Sequence, residues 1–315
     1  MLKLKHILVE KSISLEGIRQ RKNQGEASRE ELYIMRIKFW GTRGSIPVPG
    51  KDTTIYGGNT TCLEITLECG RTVIIDAGTG IRRLGEKLMK EKKNEDIHLL
   101  MTHIHWDHVF GFPFFNPIYD RSSKIYVDGN SNCFTGLKYT FDNKMGDGFF
   151  PIRFNDLRAK ITYLEKMVNG LLDIDGTVID SIPLHHPQGG LGFRFREGNK
   201  TLVFITDNEL GGDAWEGRSP REYVKFCKDA DILIHDSQYT PEEIDKRKGW
   251  GHSDYKAAFE LAHNADVKKL ILFHHDPPRI DEEVKAIELL CKELAKEKKS
   301  AMIIQAAKEG SKIDL

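Results

Sequence analysis

The sequence predicts a layered α/β fold with sheets inside and helices outside. Three observations lead there. Short apolar runs of strand length recur along the chain, bounded by Gly, Asn or Asp. In both halves such runs are followed by segments with helical spacing of apolar residues. The chain has 315 residues, enough for one large domain or two small ones with a well-buried core.

Taken in order, residues 1–34 are rich in Lys, Arg, Glu and Gln, with only isolated apolar side chains. They read as a charged N-terminal extension, with a helical turn or two over 15–20, and the folded domain proper as 35–315. Either Met35 is the true start or the extension is a genuine helical arm. Residues 36–40 alternate as a strand does, and 41–47 form a Gly-rich loop able to approach an anion. Segments 61–67 and 71–76 are strands joined at Cys69-Gly70, and 81–92 is a helix with a Lys-rich end. Strands follow at 97–101 and 124–127, and 130–160 is mixed, with a loop at 146–151. Further strands are expected at 174–184, 191–196 and 201–206, with turns at Gly189-Gly190 and Glu197-Gly198-Asn199. Residues 219–229 form a helix capped by Ser219 with Pro220 in its first turn. The remainder reads as strands at 232–234, 269–273 and 301–304, and helices at 241–248, 253–263 and 281–298.

Composition excludes several classes. Apolar residues are 39% and charged residues 30%, as in soluble globular proteins. Lys+Arg and Asp+Glu stand at 47 each, so no charge excess calls for nucleic acid. The five cysteines form no Cys-x-x-Cys pair, which argues against a disulfide framework and for a reducing compartment; the expected location is cytoplasmic. No apolar run approaches membrane-spanning length, so no membrane partner is expected.

The chemistry concentrates after the strand at 97–101. His103, His105, Asp107 and His108 place three imidazoles and a carboxylate within six residues. Neutral imidazole is the commonest metal ligand, and such a cluster would crowd and repel protons without a cation. More His and Asp residues stand at later strand ends: His186, Asp207 and His274. Counted together, His103, His105 and His186 serve one metal. Asp107, His108 and His274 serve a second, with Asp207 able to bridge, and a position is left for water, as in a catalytic site. His185 and His275 are immediate neighbours of two of these, and adjacent residues in an extended segment point opposite ways.

The His-x-His-x-Asp-His run, followed by His186, Asp207 and His274 in that order, resembles the metallo-β-lactamase superfamily over about residues 35–315. The resemblance implies a four-layer αββα metallo-β-lactamase sandwich. It implies two divalent metal ions, zinc foremost, with Mn²⁺ or Fe²⁺ as alternatives. It selects His186 over His185 and His274 over His275, and it places Asp76 behind a ligand imidazole.

Three stretches are similar to the phosphodiesterase and ribonuclease Z branch: the loop 39–47, His235-Asp236-Ser237-Gln238, and Gly251-His252-Ser253. On that resemblance His252 is the expected proton donor to the leaving oxygen and Asp236 its orienting partner. Asp107 is the catalytic carboxylate among the ligands. Alternatively, Gly251-His252-Ser253 only starts a helix, with Ser253 as cap. The chain lacks the long basic insertion that clamps transfer RNA in that branch. The expected function is therefore hydrolysis of a small cyclic or nucleotide-like phosphodiester, by in-line attack of water activated between the metals. A ribonuclease Z-like endonuclease and a thioesterase-type carbonyl hydrolase are the alternatives, and a homodimer is left open. Arg43 and the N–H groups near Gly44 are weak candidates for anion contacts. Phe112, Phe114, Phe115 and Trp250 read either as an apolar wall for a base or ribose or as core.

Overall fold

The computed structural model describes residues 34–91, 96–129, 139, 143, 145, 146, 148, 150–167, 170–211 and 218–315. The charged segment 1–33 and its expected helical turns lie outside the described residues.

Two seven-stranded sheets form the centre. The first is built from β1 (Arg36–Gly41), β2 (Cys62–Thr66), β3 (Thr72–Ile75), β4 (Asp96–Met101), β5 (Lys124–Gly129) and β6 (Lys160–Tyr163). The second is built from β7 (Leu171–Ile174), β8 (Thr177–Pro183), β9 (Leu191–Glu197), β10 (Lys200–Ile205), β11 (Ile232–Asp236), β12 (Lys269–Phe273) and β13 (Ile303–Ala306). The last strand, β14 (Lys312–Asp314), returns to the first sheet, giving the orders β14-β1-β2-β3-β4-β5-β6 and β13-β12-β11-β10-β9-β8-β7. β3 to β6 run parallel, as do β10 to β13, and the other pairings are antiparallel.

Strand periodicity explains the layering. In β10, Leu202 and Phe204 face the core between the sheets, while Val203 and Ile205 face the opposite side, against helices. Both faces are covered, so the strand is apolar throughout. β1 sends Ile37 and Phe39 between the sheets and Trp40 outward. There α1 (Ile81–Glu91) buries Ile81, Leu84 and Leu88 on one face against Ile74 and Leu99. On the far side α3 (Pro220–Cys227), α5 (Tyr255–Asn264) and α6 (Asp281–Glu297) cover the second sheet through Tyr223, Phe259 and Ile287. Two short helices complete the set: α2 (Trp106–Val109), one turn after β4, and α4 (Pro241–Ile244). The result is an αββα sandwich. Among the described residues no helix is long and apolar enough to cross a membrane.

Several local expectations change. The single strand expected at 174–184 is the hairpin β7–β8, turned at Asp175-Gly176, both with left-handed backbone at φ 48° and 99°. Asp-Gly is a strong two-residue hairpin signal. β6 and β14 were not expected. β14 has three residues and exists through pairing with β1, Ile313 opposite Ile37. The segment 241–248 divides into α4 and a 3₁₀ turn. α5 is capped by Asp254, whose carboxylate accepts from the Lys256 and Ala257 N–H groups; Ser253 does not cap it.

Candidate metal centre

The site lies where strands end. Asp76 follows β3, His103 follows β4, Asp207 follows β10, Asp236 ends β11 and His274 follows β12. These are C-terminal ends of parallel strands, where open α/β sheets leave a crevice. His186 arrives on the loop after β8. The two sheets meet here directly, because the Leu191 N–H donates to the Thr102 carbonyl at 2.9 Å. Asp76, Asp207 and His274 hold φ of 60°, 54° and 60°. Left-handed backbone is costly for residues with a side chain, and here it turns each side chain off its strand into the crevice.

The side chains converge in two groups, His103 with His105 and His186, and Asp107 with His108, Asp207 and His274. Within each group the potential ligand atoms lie within 4.8 Å of one another. His186 Nε2 and His105 Nδ1 are 2.9 Å apart. In the second group Asp107 Oδ2 lies 3.2 Å from His108 Nε2 and 3.3 Å from His274 Nε2. Asp207 faces both groups, with Oδ1 3.8 Å from His103 Nε2 and from His186 Nε2, and 3.3 Å from His274 Nε2. Its Oδ2 is 3.3 Å from His108 Nε2. Among the described residues, buried His103 Nε2 and His108 Nε2 have no hydrogen-bond partner. Orphaned imidazole nitrogens facing carboxylates fit a cation between them.

Supporting contacts fix the rings. His108 Nδ1 donates to Asp76 Oδ2 at 2.7 Å, and Asp76 also accepts from the Thr102 N–H and hydroxyl, each at 2.8 Å. The His186 Nδ1–H donates to the Gly251 carbonyl at 2.9 Å. His274 Nδ1 meets Gln238 Oε1 at 2.9 Å, and His105 Nε2 meets Gln188 Oε1 at 2.7 Å. Each such bond leaves the other ring nitrogen for a metal.

Charge follows the same plan. Burial pushes the His103 pKa well down, with His108 adding to the effect. Burial likewise takes His186 down to about 4 against the pull of Asp207. For His108, burial is outweighed by Asp107, Asp207 and Asp76, and the ring is held well above its usual value. Burial also opposes ionisation of Asp107 and Asp207, but neighbouring imidazoles outweigh it and hold both carboxyls well below the usual range. The carboxylates that favour positive charge on His108 would favour a cation at the same place.

His252 and Asp236 sit beside these groups. His252 Nδ1 donates to Asp236 Oδ2 at 2.8 Å, and its ring stacks on His274 at 5.0 Å between centroids. Burial opposes its charge, yet Asp236 outweighs burial and lifts the pKa to about 9. Its Nε2 makes no hydrogen bond among the described residues, and the side chain keeps 10% exposure. His252 could also serve as a ligand, grouped with His186 and Asp207 or with Asp236 and His274.

Of the remaining readings, the anion contacts expected of Arg43 and of the N–H groups near Gly44 are corrected, and the others follow from burial and contact. Arg43 is fully buried, and its guanidinium donates to the carbonyls of Gly57, Asp276 and Arg279, so it ties loops together and presents no surface to solvent. The Gly44 N–H donates to the His275 carbonyl, and the Ser45 N–H donates to Asp107 Oδ2 at 2.8 Å, so that loop orients a candidate ligand. Phe112 and Phe115 are core, whereas Phe114 and Trp250 are exposed. His275 points away from the cluster to the Ala307 carbonyl, and burial lowers its pKa to about 3. Gln188, Glu209 and Gln238 were not anticipated; amide and carboxylate side chains in loops carry no spacing signal.

Comparison with known proteins agrees with this architecture. A family described as the β-lactamase superfamily domain matches residues 71–275. The chain is 24% identical over 279 residues to a ribonuclease Z of Enterococcus faecalis, spanning 76% of this chain and 86% of that one. Among solved structures, the metallo-β-lactamase fold protein YhfI from Bacillus subtilis superposes with a TM-score of 0.64 at 15% identity, covering 90% of this chain and 100% of that one. A diphosphatase from the PhnP family gives 0.61 at 17% identity, covering 89% and 98%. With the αββα sandwich and the His/Asp cluster at the strand ends of both sheets, this chain belongs to the β-lactamase superfamily, with a metallo-β-lactamase fold.

Proposed function

We propose that this chain is a dimetal phosphodiesterase acting on a small cyclic or nucleotide-like phosphodiester. His103, His105 and His186 would hold one divalent ion, and Asp107, His108 and His274 a second, with Asp207 shared. Zinc is the first choice on this His-rich donor set, with Mn²⁺ or Fe²⁺ as alternatives. When bound, such ions supply Lewis-acid charge stabilisation and lower the pKa of water toward neutrality.

The observation that carries the phosphodiester reading is the His252–Asp236 pair beside the cluster. An alkoxide leaving group needs a proton, and His252 offers one from Nε2 while Asp236 holds the opposite nitrogen. Asp236 keeps the ring charged and aimed, as an acid requires. The names of two similar proteins, a ribonuclease and a diphosphatase, support chemistry at phosphorus.

The preference for a small substrate rests on the zero formal net charge, since affinity for RNA depends on neutralising phosphates. A ribonuclease Z-like endonuclease is the second reading, favoured by the match across most of both chains. The test offers the metal-loaded protein bis(p-nitrophenyl) phosphate, cyclic nucleotides, cyclic ribose phosphates, 3′-extended transfer RNA and a thioester. Turnover of the small diesters is expected. Cleavage of the thioester alone would overturn the proposal, and cleavage of the transfer RNA alone would select the second reading.

A further inference from the structure

Glu209 is 4% exposed, and among the described residues it has no ion-pair partner. A buried carboxylate without a cation is expensive unless hydrogen bonds replace its water. Here they come from one loop. The Gly249 N–H lies 2.9 and 3.0 Å from the two carboxylate oxygens, and the Gly251 N–H donates to Oε2 at 2.9 Å. Gly249 and Gly251 have φ of 81° and 82°, left-handed on either side of Trp250. Amide groups turned together by such alternation form an anion-binding nest, and this one is filled by the protein's own carboxylate.

The loop it holds carries site residues. The Gly251 carbonyl accepts from His186 Nδ1, and His252 is the next residue. A Cβ added at Gly251 would lie 2.1 Å from His186 Nδ1, so the backbone is packed directly on that ring. The neighbours of Glu209 extend the grip. The Ser253 hydroxyl donates to the Asn208 carbonyl at 2.5 Å and accepts from the Leu210 N–H at 3.0 Å. On the other side, Asn208 Oδ1 accepts from the His185 N–H, and the Glu209 N–H donates to the His185 carbonyl, both at 2.9 Å. The tripeptide after Asp207 therefore binds the loop of His186 and, on both flanks, the loop of His252.

We propose that Asn208-Glu209-Leu210 is a positioning strap, and that Glu209, through the Gly249–Gly251 nest, sets the place of the proton donor His252 relative to the metal-binding side chains. The activity part of this inference rests on the phosphodiesterase reading; the positional part does not. Glu209 touches no reacting atom. Its loss should act through His252, so the penalty depends on how much the leaving group needs a proton.

The test compares Glu209→Ala and Glu209→Gln with the parent, each with metal content measured. The substrates are bis(p-nitrophenyl) phosphate, whose leaving group departs unaided, and diphenyl phosphate, whose leaving group does not. In Glu209→Ala, kcat on diphenyl phosphate should fall about 100-fold, against about threefold or less on bis(p-nitrophenyl) phosphate. Glu209→Gln, which keeps one acceptor oxygen, should fall between. Independently of activity, the downfield proton resonance of His252 Nδ1–H, assigned by its absence in His252→Gln, should disappear in Glu209→Ala. If Glu209→Ala fails to fold, Glu209→Gln is read by the same criteria, with smaller changes. Equal losses on both substrates, or a resonance left unchanged, would overturn the strap. A parent protein that cleaves neither of these nor any cyclic diester of the earlier panel would overturn the phosphodiesterase reading instead, and the resonance would still decide the strap.

Discussion

Asp76 shows how one carboxylate behind the candidate ligands acts. Burial raises its pKa, while His108 and the Thr102 donors pull the other way. It faces three donors, all of which an Asn amide cannot satisfy without turning an N–H₂ toward one of them. Asp76→Asn should weaken binding of one ion by roughly 10–100-fold with little change in secondary structure, read by competition with a chromogenic chelator. Proton linkage adds a second prediction. His103 and His186 are held neutral, but His108 is held protonated by its carboxylates and must release that proton to a metal. Affinity of the second group should therefore rise with pH, with about one proton released when the His108 site fills near neutrality, measured by calorimetry in buffers of different ionisation enthalpy. At this scale the His-x-His-x-Asp-His run was legible because a single loop holds it. Arg43 was misread because residue type suggests anion contact, while its burial, which decides the matter, is a property of the fold.

Among the elements, α6 is tied to the sheet by Glu288, which accepts from Lys285, Lys292 and the Ala306 N–H of β13. Burial opposes its charge, but these donors outweigh burial and bring the pKa down to about 2. Because the folded value is depressed, the stabilisation is present above the unfolded value of 4.5 and is lost as pH falls toward about 2. Both lysines are partly exposed, so screening reduces the contribution to about 2 kcal/mol. Glu288→Gln should lower the urea midpoint at pH 7, and the gap to the parent should close between pH 5 and pH 2. Helices and buried strands were legible from apolar spacing, as α1 and β10 show. The hairpin β7–β8 was missed although Asp175-Gly176 marked it, because apolar residues stand close on both sides of that turn, Leu171, Leu172 and Ile174 before it and Val178 and Ile179 after it. β14 is too short to carry a period, and only its partner β1 defines it.

For the whole molecule, the candidate ligands come from both sheets: His103 to His108 follow β4 of the first, while His186, Asp207 and His274 follow strands of the second. A cation shared among them would fasten the two layers at one edge. Chelation should lower the thermal midpoint of the whole domain in one transition, and at a thousandfold excess over Kd each ion should add about 4 kcal/mol. Two separate transitions in calorimetry would show that the layers are not joined in this way. The two-layer pairing was legible only through family resemblance, because the Leu191–Thr102 bond and the β14–β1 pairing join residues far apart in sequence.

The left-handed backbone at Asp76, Asp207 and His274 has a consequence for selection. Each position costs of the order of 1 kcal/mol that glycine would recover. That gain is set against buried contacts: at Asp76 a glycine would leave the Thr102 N–H, the Thr102 hydroxyl and His108 Nδ1 without their acceptor, so a laboratory screen for heat resistance alone, run on the metal-free chain, would keep Asp76 and change Asp207 or His274 before it. The same screen run with metal present would hold all three in place. Comparing the two lineages would separate what the sandwich needs in order to stand from what it tolerates in order to work.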